Sequence, residues 1–381
     1  MNRLFAVVAV LISLHTIVFS HTGGHHGGGL RTWSFVNGQR PVKASFRSSR
    51  PDTVVLEDAH HSLLLVALTD LSAKDAAYAR NRISAIERRT IAVDTSSMTM
   101  VSTDPATIDA TFAAFKPHVS TRWDDTWFYV ENDGMPTTMP AMVGITAWQQ
   151  QVPIPQYYTG TNAWQIPLLP IPAANPIALD TALHTGAVAI AVNGLPIFNP
   201  ENNRGEFSQD IGELDSYGGH CGRADDYHYH IAPIHLNAVV GYRQPIAWAL
   251  DGYPVYGMKE PDETAVQPLD QNLGHEWNGS YHYHAIDVKP YLIARMRGQV
   301  TIQNDQVIPQ PRTKGVRPFL QALNGAEITE FHECDTNHYA LKYEVNGEPR
   351  WVNYRWSSSG VYTYIFIDGN GDRRTETYQR K

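Results

Sequence analysis

The chain has 381 residues, 43% of them hydrophobic and 18% charged, an ordinary globular balance long enough for two or three domains. A formal net charge of -8 leaves no basic footprint, so no nucleic-acid partner is expected. With 19 Tyr, 9 Trp, 24 Pro and 28 Gly, short strands and structured loops are favoured over long helices, and the expected class is mainly β.

Residues 1–20 read as a signal peptide: Arg3 is the positive start, Leu4 to Phe19 the apolar core, and Val18 and Ser20 suit a cleavage site. A membrane anchor is disfavoured because the apolar stretch is short and broken by Ser13, His15 and Thr16. No later run is long enough to span a bilayer, so the expected location is secreted, periplasmic or cell-surface, with no membrane span after signal removal. Residues 21–29, His-Thr-Gly-Gly-His-His-Gly-Gly-Gly, form a leader expected to be disordered. Cleavage after Ser20 would expose His21 as an N-terminal copper chelator, but the glycines work against preorganisation.

Residues 30–90 form the first module. Alternation in Thr32 to Phe35, Val42 to Phe46, Thr53 to Leu56 and Leu63 to Leu68 predicts four or five short strands. A helix follows over Ala73 to Glu87, with Ser72 as N-cap and Asp75 in the first turn. The string from Arg31-Thr32-Trp33 through Leu71-Ser72-Ala73-Lys74-Asp75-Ala76-Ala77-Tyr78 resembles the first homology domain of the Sla-type endocytic adaptors. That resemblance implies a small SH3-like barrel. The adaptor domains bind Asn-Pro-Phe sorting signals in yeast, and similar modules are attached to exported proteins in some bacteria. The shared positions are core-packing ones, so they predict a fold rather than a ligand.

A polar connector, 91–106, leads to a large central region, 107–305, rich in Pro, Trp and Tyr. Gly186 to Gly194 is apolar and small and ends in Asn-Gly, which predicts a buried strand entering a tight turn; Trp248 to Gly257 reads the same way. A third unit, 328–381, is a β-meander of about four antiparallel strands, His338–Val345, Arg350–Trp356, Val361–Asp368 and Arg373–Gln379. Asp368, Asn370 and Asp372 superficially suggest a calcium loop, but no Glu completes it, so they read as a hairpin turn. Cys221 and Cys334 are the two cysteines; they read as a disulfide, as free thiols, or as a metal ligand in the case of Cys221.

Two segments of the central region repeat each other. Asp215 is followed by Gly219-His220 and then Tyr227-His228-Tyr229-His230; Asp270 is followed by Gly274-His275 and then Tyr281-His282-Tyr283-His284. Alternate side chains of a strand share a face, so His228 and His230 lie together, about 6.5–7 Å apart at the backbone, as do His282 and His284. Imidazoles at that spacing converge on one ion. His220 and His275 are delivered by loops that glycine hinges, and Asp215 and Asp270 either orient histidines or add oxygen ligands. If the two strands approach each other, four imidazoles meet; one shared site or two close ions would each fit. For a lone histidine a satisfied core role would be preferred, but two such pairs in a repeated Asp/His frame point to metal. Zinc and copper rank together, then iron, and the absence of a thiolate cluster argues against a structural zinc knuckle. Asp226 and Asp251 are the candidate catalytic carboxylates: Asp225-Asp226 reads as a loop-capping pair or as a general base on metal-bound water, and Asp251 as a buried group near the site or a turn former.

The two Tyr-His-Tyr-His strings, with Gly218-Gly219-His220, Ala249-Leu250-Asp251-Gly252-Tyr253-Pro254-Val255-Tyr256-Gly257 and Gly279-Ser280-Tyr281, resemble the YHYH-domain family over roughly 107–305. The resemblance implies one coherent domain and supplies no reaction. Serine-hydrolase, P-loop and dinucleotide motifs are absent from credible contexts. The expected function is an exported metal-binding protein, as a metal-dependent hydrolase or oxidase on an extracellular substrate. The alternative is a secreted binding or adhesion module with a protein or glycan ligand, in which the histidines are structural. A third reading is metal scavenging by the His/Gly leader and the central site together.

Overall fold

The computed structural model describes residues 30–50, 53–59, 63–81, 103–137 and 139–380. The expected signal segment, residues 1–20, and the His/Gly leader, 21–29, lie outside them. The protein is mainly β, with several sheets and no closed barrel among the described residues. The chain divides into two units, Met1–Ala85 and Ile86–Lys381. No helix among the described residues is long and apolar enough to cross a membrane.

In the first unit β1 (Arg31–Trp33), β2 (Val42–Arg50), β3 (Thr53–Asp58) and β4 (Leu63–Ala67) pair antiparallel in chain order. Trp33, Ala44, Val54, Val55 and Leu56 are among its buried apolar residues. A helix, α1, runs from 73 to 81 within the described residues. Its cap forms as the sequence predicts, with the Ser72 hydroxyl accepting the Asp75 amide at 3.3 Å. Asp75 does more than sit in a first turn. It is buried, accepts the Ser34 amide at 2.9 Å and pairs with Arg31, tying the helix to β1. The expected SH3-like barrel does not appear as a closed barrel among the described residues: within this unit β1 to β4 pair in chain order, and the two ends of the run meet only at an isolated bridge between Phe35 and Leu71.

The second unit opens with α2 (Pro105–Thr111), capped by the Asp104 side chain on the amides of Ala106 and Thr107. β5 (Ser120–Trp123), β6 (Trp127–Glu131) and β7 (Trp164–Pro167) form an antiparallel run, and β8 (Pro172–Ala178) follows.

The organising element is an eight-stranded sheet. It comprises β9 (Ala187–Ala191), β10 (Pro196–Phe198), β11 (Gly219–Cys221), β12 (Tyr227–Tyr229), β13 (Ala247–Ala249), β14 (Pro254–Tyr256), β15 (Gly274–Trp277) and β16 (Ser280–His284). Its order is β11-β12-β10-β9-β13-β14-β16-β15. β9 is buried along its whole length, and Asn193-Gly194 turns it into β10, as the sequence predicts. Asp251-Gly252 does the same between β13 and β14. Trp248 anchors α2 to this sheet through a 3.0 Å bond to the Thr111 hydroxyl.

β17 (Arg295–Gly298) returns to pair with β8, and β18 (Thr301–Gln303) with β19 (Gln306–Ile308) makes a hairpin. The C-terminal meander has five strands: β20 (Ala326–Asp335), β21 (His338–Val345), β22 (Glu348–Trp356), β23 (Val361–Ile367) and β24 (Arg373–Gln379). The additional strand is β20, whose alternation is broken by register shifts between Ile328 and Glu330 and between Glu333 and Asp335. Its inner face is aromatic: Tyr354 and Tyr364 are buried and stack at 5.7 Å. The Tyr354 hydroxyl donates to the Pro153 carbonyl at 2.7 Å, fixing the meander to the central region. Asp368 accepts the amides of Asn370 and Asp372 at 2.9 and 3.0 Å, the hairpin turn expected there.

Candidate metal centres

Each half of the eight-stranded sheet assembles its own histidine cluster. In the first half, His220 on β11 stands directly opposite His228 on β12. His230, one residue beyond β12, alternates onto the same face. Nε2 of His230 lies 3.0 Å from Nε2 of His220 and 3.1 Å from Nε2 of His228. In the second half, His275 on β15 faces His282 on β16. The three Nε2 atoms of His275, His282 and His284 lie 2.8–3.2 Å apart. Here a fourth group joins. Glu260 places Oε1 3.1 Å from His275 Nε2 and Oε2 3.3 Å from both His282 and His284 Nε2. Both groups have the composition and spacing to hold a metal ion. Donors placed 2.0–2.1 Å from a tetrahedral ion stand about 3.3 Å apart, close to these separations.

The tautomers sharpen this geometry. Nδ1 of His228 meets the Asp226 carbonyl at 2.9 Å, Nδ1 of His230 meets the Asn199 carbonyl, and Nδ1 of His284 meets the Gly257 carbonyl at 2.8 Å. A carbonyl only accepts, so each Nδ1 carries the proton and each Nε2 presents a lone pair. In the first cluster the lone pairs of His228 and His230 aim at each other, and in the second that of His284 aims at the Nε2 atoms of His275 and His282 and at Glu260, arrangements that a cation relieves. Burial, and then the neighbouring imidazoles, hold His220 and His228 well below the ordinary histidine range. The same causes bring His282 down to about 4. Burial acts to raise Glu260, but the Gln267 amide and the three imidazoles outweigh it and leave its carboxyl below the usual range.

The expectation that the two motif strands approach each other is corrected. Four strands separate β12 from β16, about 24 Å at ~4.8 Å per strand. A site shared by both pairs is therefore replaced by two separate clusters. Directly paired residues share a face, so Tyr229, Ile197, Ala189, Ala249, Ala247, Val255 and Tyr283 lie on one side of the sheet. The histidines of both clusters alternate onto the other side.

Asp215 and Asp270 organise their loops and lie in neither ligand group. Asp215 accepts the Tyr227 hydroxyl at 2.8 Å and the amides of Met142, Tyr217 and Gly219. Asp270 accepts the Tyr281 hydroxyl at 3.0 Å and the amides of Asn272 and Gly274. The glycine before each histidine serves close approach more than hinging: a Cβ on Gly219 or Gly274 would lie 2.4 Å from the hydroxyl of Tyr227 or Tyr281. Asp226 is buried beside the first cluster, with Oδ2 3.8 Å from His228 Nδ1, and burial raises its carboxyl to about 7. Asp251 belongs to the tyrosine side of the sheet, accepting the Tyr283 hydroxyl at 2.6 Å and the Gly298 amide at 2.8 Å. Asp225 is held by Arg317 in a buried ion pair at 2.6 Å. Cys221 is buried, Cys334 is exposed and both are free, so the disulfide reading is corrected; Cys221 joins neither ligand group. A surface depression is lined by Asp270, His275, Glu276, Tyr281 and Arg297, and Glu260, His282 and His284 do not line it.

Sequence reasoning missed Glu260, and the signal that finds it is a longer repeat. Ala191-Val192-Asn193-Gly194-Leu195-Pro196-Ile197-Phe198 matches Ala249-Leu250-Asp251-Gly252-Tyr253-Pro254-Val255-Tyr256, 58 residues later. The structure keeps that offset. Asn199 and Gly257 supply the equivalent carbonyls to His230 and His284. Asn193 and Asp251 meet the equivalent hydroxyls of Tyr229 and Tyr283. Phe198 stacks on His228 as Tyr256 lies against His282. At the same offset Glu260 corresponds to Asn202.

No curated protein and no solved structure matches the chain. The family model described as YHYH protein matches residues 163–267, a segment that holds the first Tyr-His-Tyr-His strand, both hairpins and Glu260 and ends before His275.

Proposed function

We propose that this is an exported metal-binding protein with two separate centres, one in each half of a duplicated sheet. The observation that carries the reading is the convergence of three Nε2 atoms in each cluster, with the Nδ1 protons of His228, His230 and His284 committed to backbone carbonyls. Three imidazoles and a carboxylate at tetrahedral spacing in the second cluster fit zinc best, with copper and then iron behind it. Export rests on the apolar, singly positive start of the chain.

The test is elemental analysis of untagged protein purified without chelator. Two equivalents of one transition metal are expected, falling to one in His228→Ala or His282→Ala and to none in the double variant. Protein that arrives without metal and takes up none on dialysis against zinc, copper or iron salts would sink the reading. The histidines would then be a hydrogen-bonded core feature of a binding module.

A further inference from the structure

We infer, resting on the two-centre reading, that the centres are chemically unequal: the second is closed by Glu260, whereas the first keeps one coordination position for an exchangeable water or small anion. The repeat itself makes the comparison. Asn202 and Glu260 open the same turn, Asn202 N–H donating to the Glu206 carbonyl at 2.8 Å and Glu260 N–H to the Thr264 carbonyl at 3.1 Å. They differ in what the side chain does. The Glu260 carboxylate reaches all three imidazoles of its cluster. The Asn202 amide turns back into its own loop. Its oxygen accepts the amides of Arg204 and Glu206 at 2.8 and 3.2 Å, and its nitrogen donates to Glu206 and Glu213.

The carboxylate nearest in the chain does not replace it. Glu213 is buried, but its oxygens are bonded by the Ser208 hydroxyl at 3.0 Å and the Arg204 guanidinium at 2.9 Å. The first group therefore has three protein donors and the second has four. Three neutral imidazoles leave a divalent ion its full charge of +2, whereas Glu260 lowers the second centre to +1. A three-histidine ion with a free position binds anions and lowers the pKa of bound water, and a four-ligand ion does neither readily. The first centre is thus the one fitted to bind small anionic ligands or to activate water, and the second the one fitted to hold the sheet.

The experiment loads the full chain with cobalt(II) and titrates it with azide, reading the visible d–d bands. Two cobalt equivalents should bind, and azide should perturb one of them. That response should disappear in His228→Ala and persist in His282→Ala. Asn202→Glu should retain two equivalents and lose the azide response, copying the second centre onto the first. Glu260→Asn should keep the first response and, where the second cobalt is retained, add another. Two cobalt equivalents that both respond, or that both ignore azide, overturn the inequality while leaving the two-centre reading intact. A response assigned to the second centre by these variants overturns it equally. Failure of cobalt to bind at all overturns the two-centre reading itself, a result separate from the other three.

Discussion

The two halves of the eight-stranded sheet share a backbone plan but use different chemistry to complete it. In the first half the turn before β10 offers Asn193 to Tyr229, and the loop after β10 offers Asn202 to itself. In the second half both positions are carboxylates: Asp251 holds Tyr283, and Glu260 faces the imidazoles. Amides at both positions became acids, or the reverse, without a change in strand order or register. A duplicated scaffold thus leaves side-chain charge free to vary at places where the backbone is already satisfied.

The largest effects should come from the ligands themselves. His230→Ala and His284→Ala each remove one of the convergent donors, and each should weaken metal at its own centre by more than the ~10–100-fold typical of outer-shell partners. Competition with a chromophoric chelator measures this, and cross-talk between the halves would break the picture of two independent centres. Next comes metal removal. With metal at about 1,000 times its dissociation constant, each centre adds ~4 kcal/mol to stability. Chelator should therefore lower the unfolding midpoint of wild type by more than that of either single-centre variant, as a thermal scan would show.

Smaller differences test the tyrosine side. Asp251 is buried and accepts bonds from Tyr283, Gly298 and Tyr253. Asp251→Ala should cost about 3 kcal/mol, since several buried donors lose their partner. Asn193→Ala, at the equivalent place in the first half, loses two neutral bonds, to the Tyr229 hydroxyl and from the Leu195 amide, and should cost nearer 1 kcal/mol. Equal losses in urea melts would mean that the acid and the amide do the same work. The smallest effect belongs to Cys334→Ser. The thiol is exposed and free, so stability should stay within about 0.5 kcal/mol under oxidising and reducing conditions alike.

Much of this was legible in the residues. The alternation Tyr-His-Tyr-His put the histidines on one face before any fold was known, and Asn193-Gly194 marked its hairpin. The separation of the clusters was not legible, because nothing in a strand's own sequence says that β10 and β14 will lie parallel beside the motif strands and push them to opposite flanks. Glu260 was hidden for a related reason. It sits in a polar turn, Lys259-Glu260-Pro261-Asp262, that reads as ordinary surface, and only the offset of the repeat places it over the imidazoles. The first module shows no closed barrel among the described residues, and core-packing alternation could not decide this, because it specifies strands but not which edge strands meet. The fifth strand of the meander was obscured by its bulges.

The seam between the halves has one more consequence. Ala189 pairs with Ala249, Ile190 with Trp248 and Ala191 with Ala247. Under the 58-residue offset these are reciprocal partners, so the β9–β13 contact is isologous, the kind that two copies of one subunit make across a dyad. The eight-stranded sheet is in effect a homodimer fused into one chain. A half expressed alone would present β9, with its five buried residues Ala-Val-Ala-Ile-Ala, as a bare apolar edge. Such a fragment should pair with itself through that edge, and its two identical centres would then lack the inequality that fusion has allowed to arise.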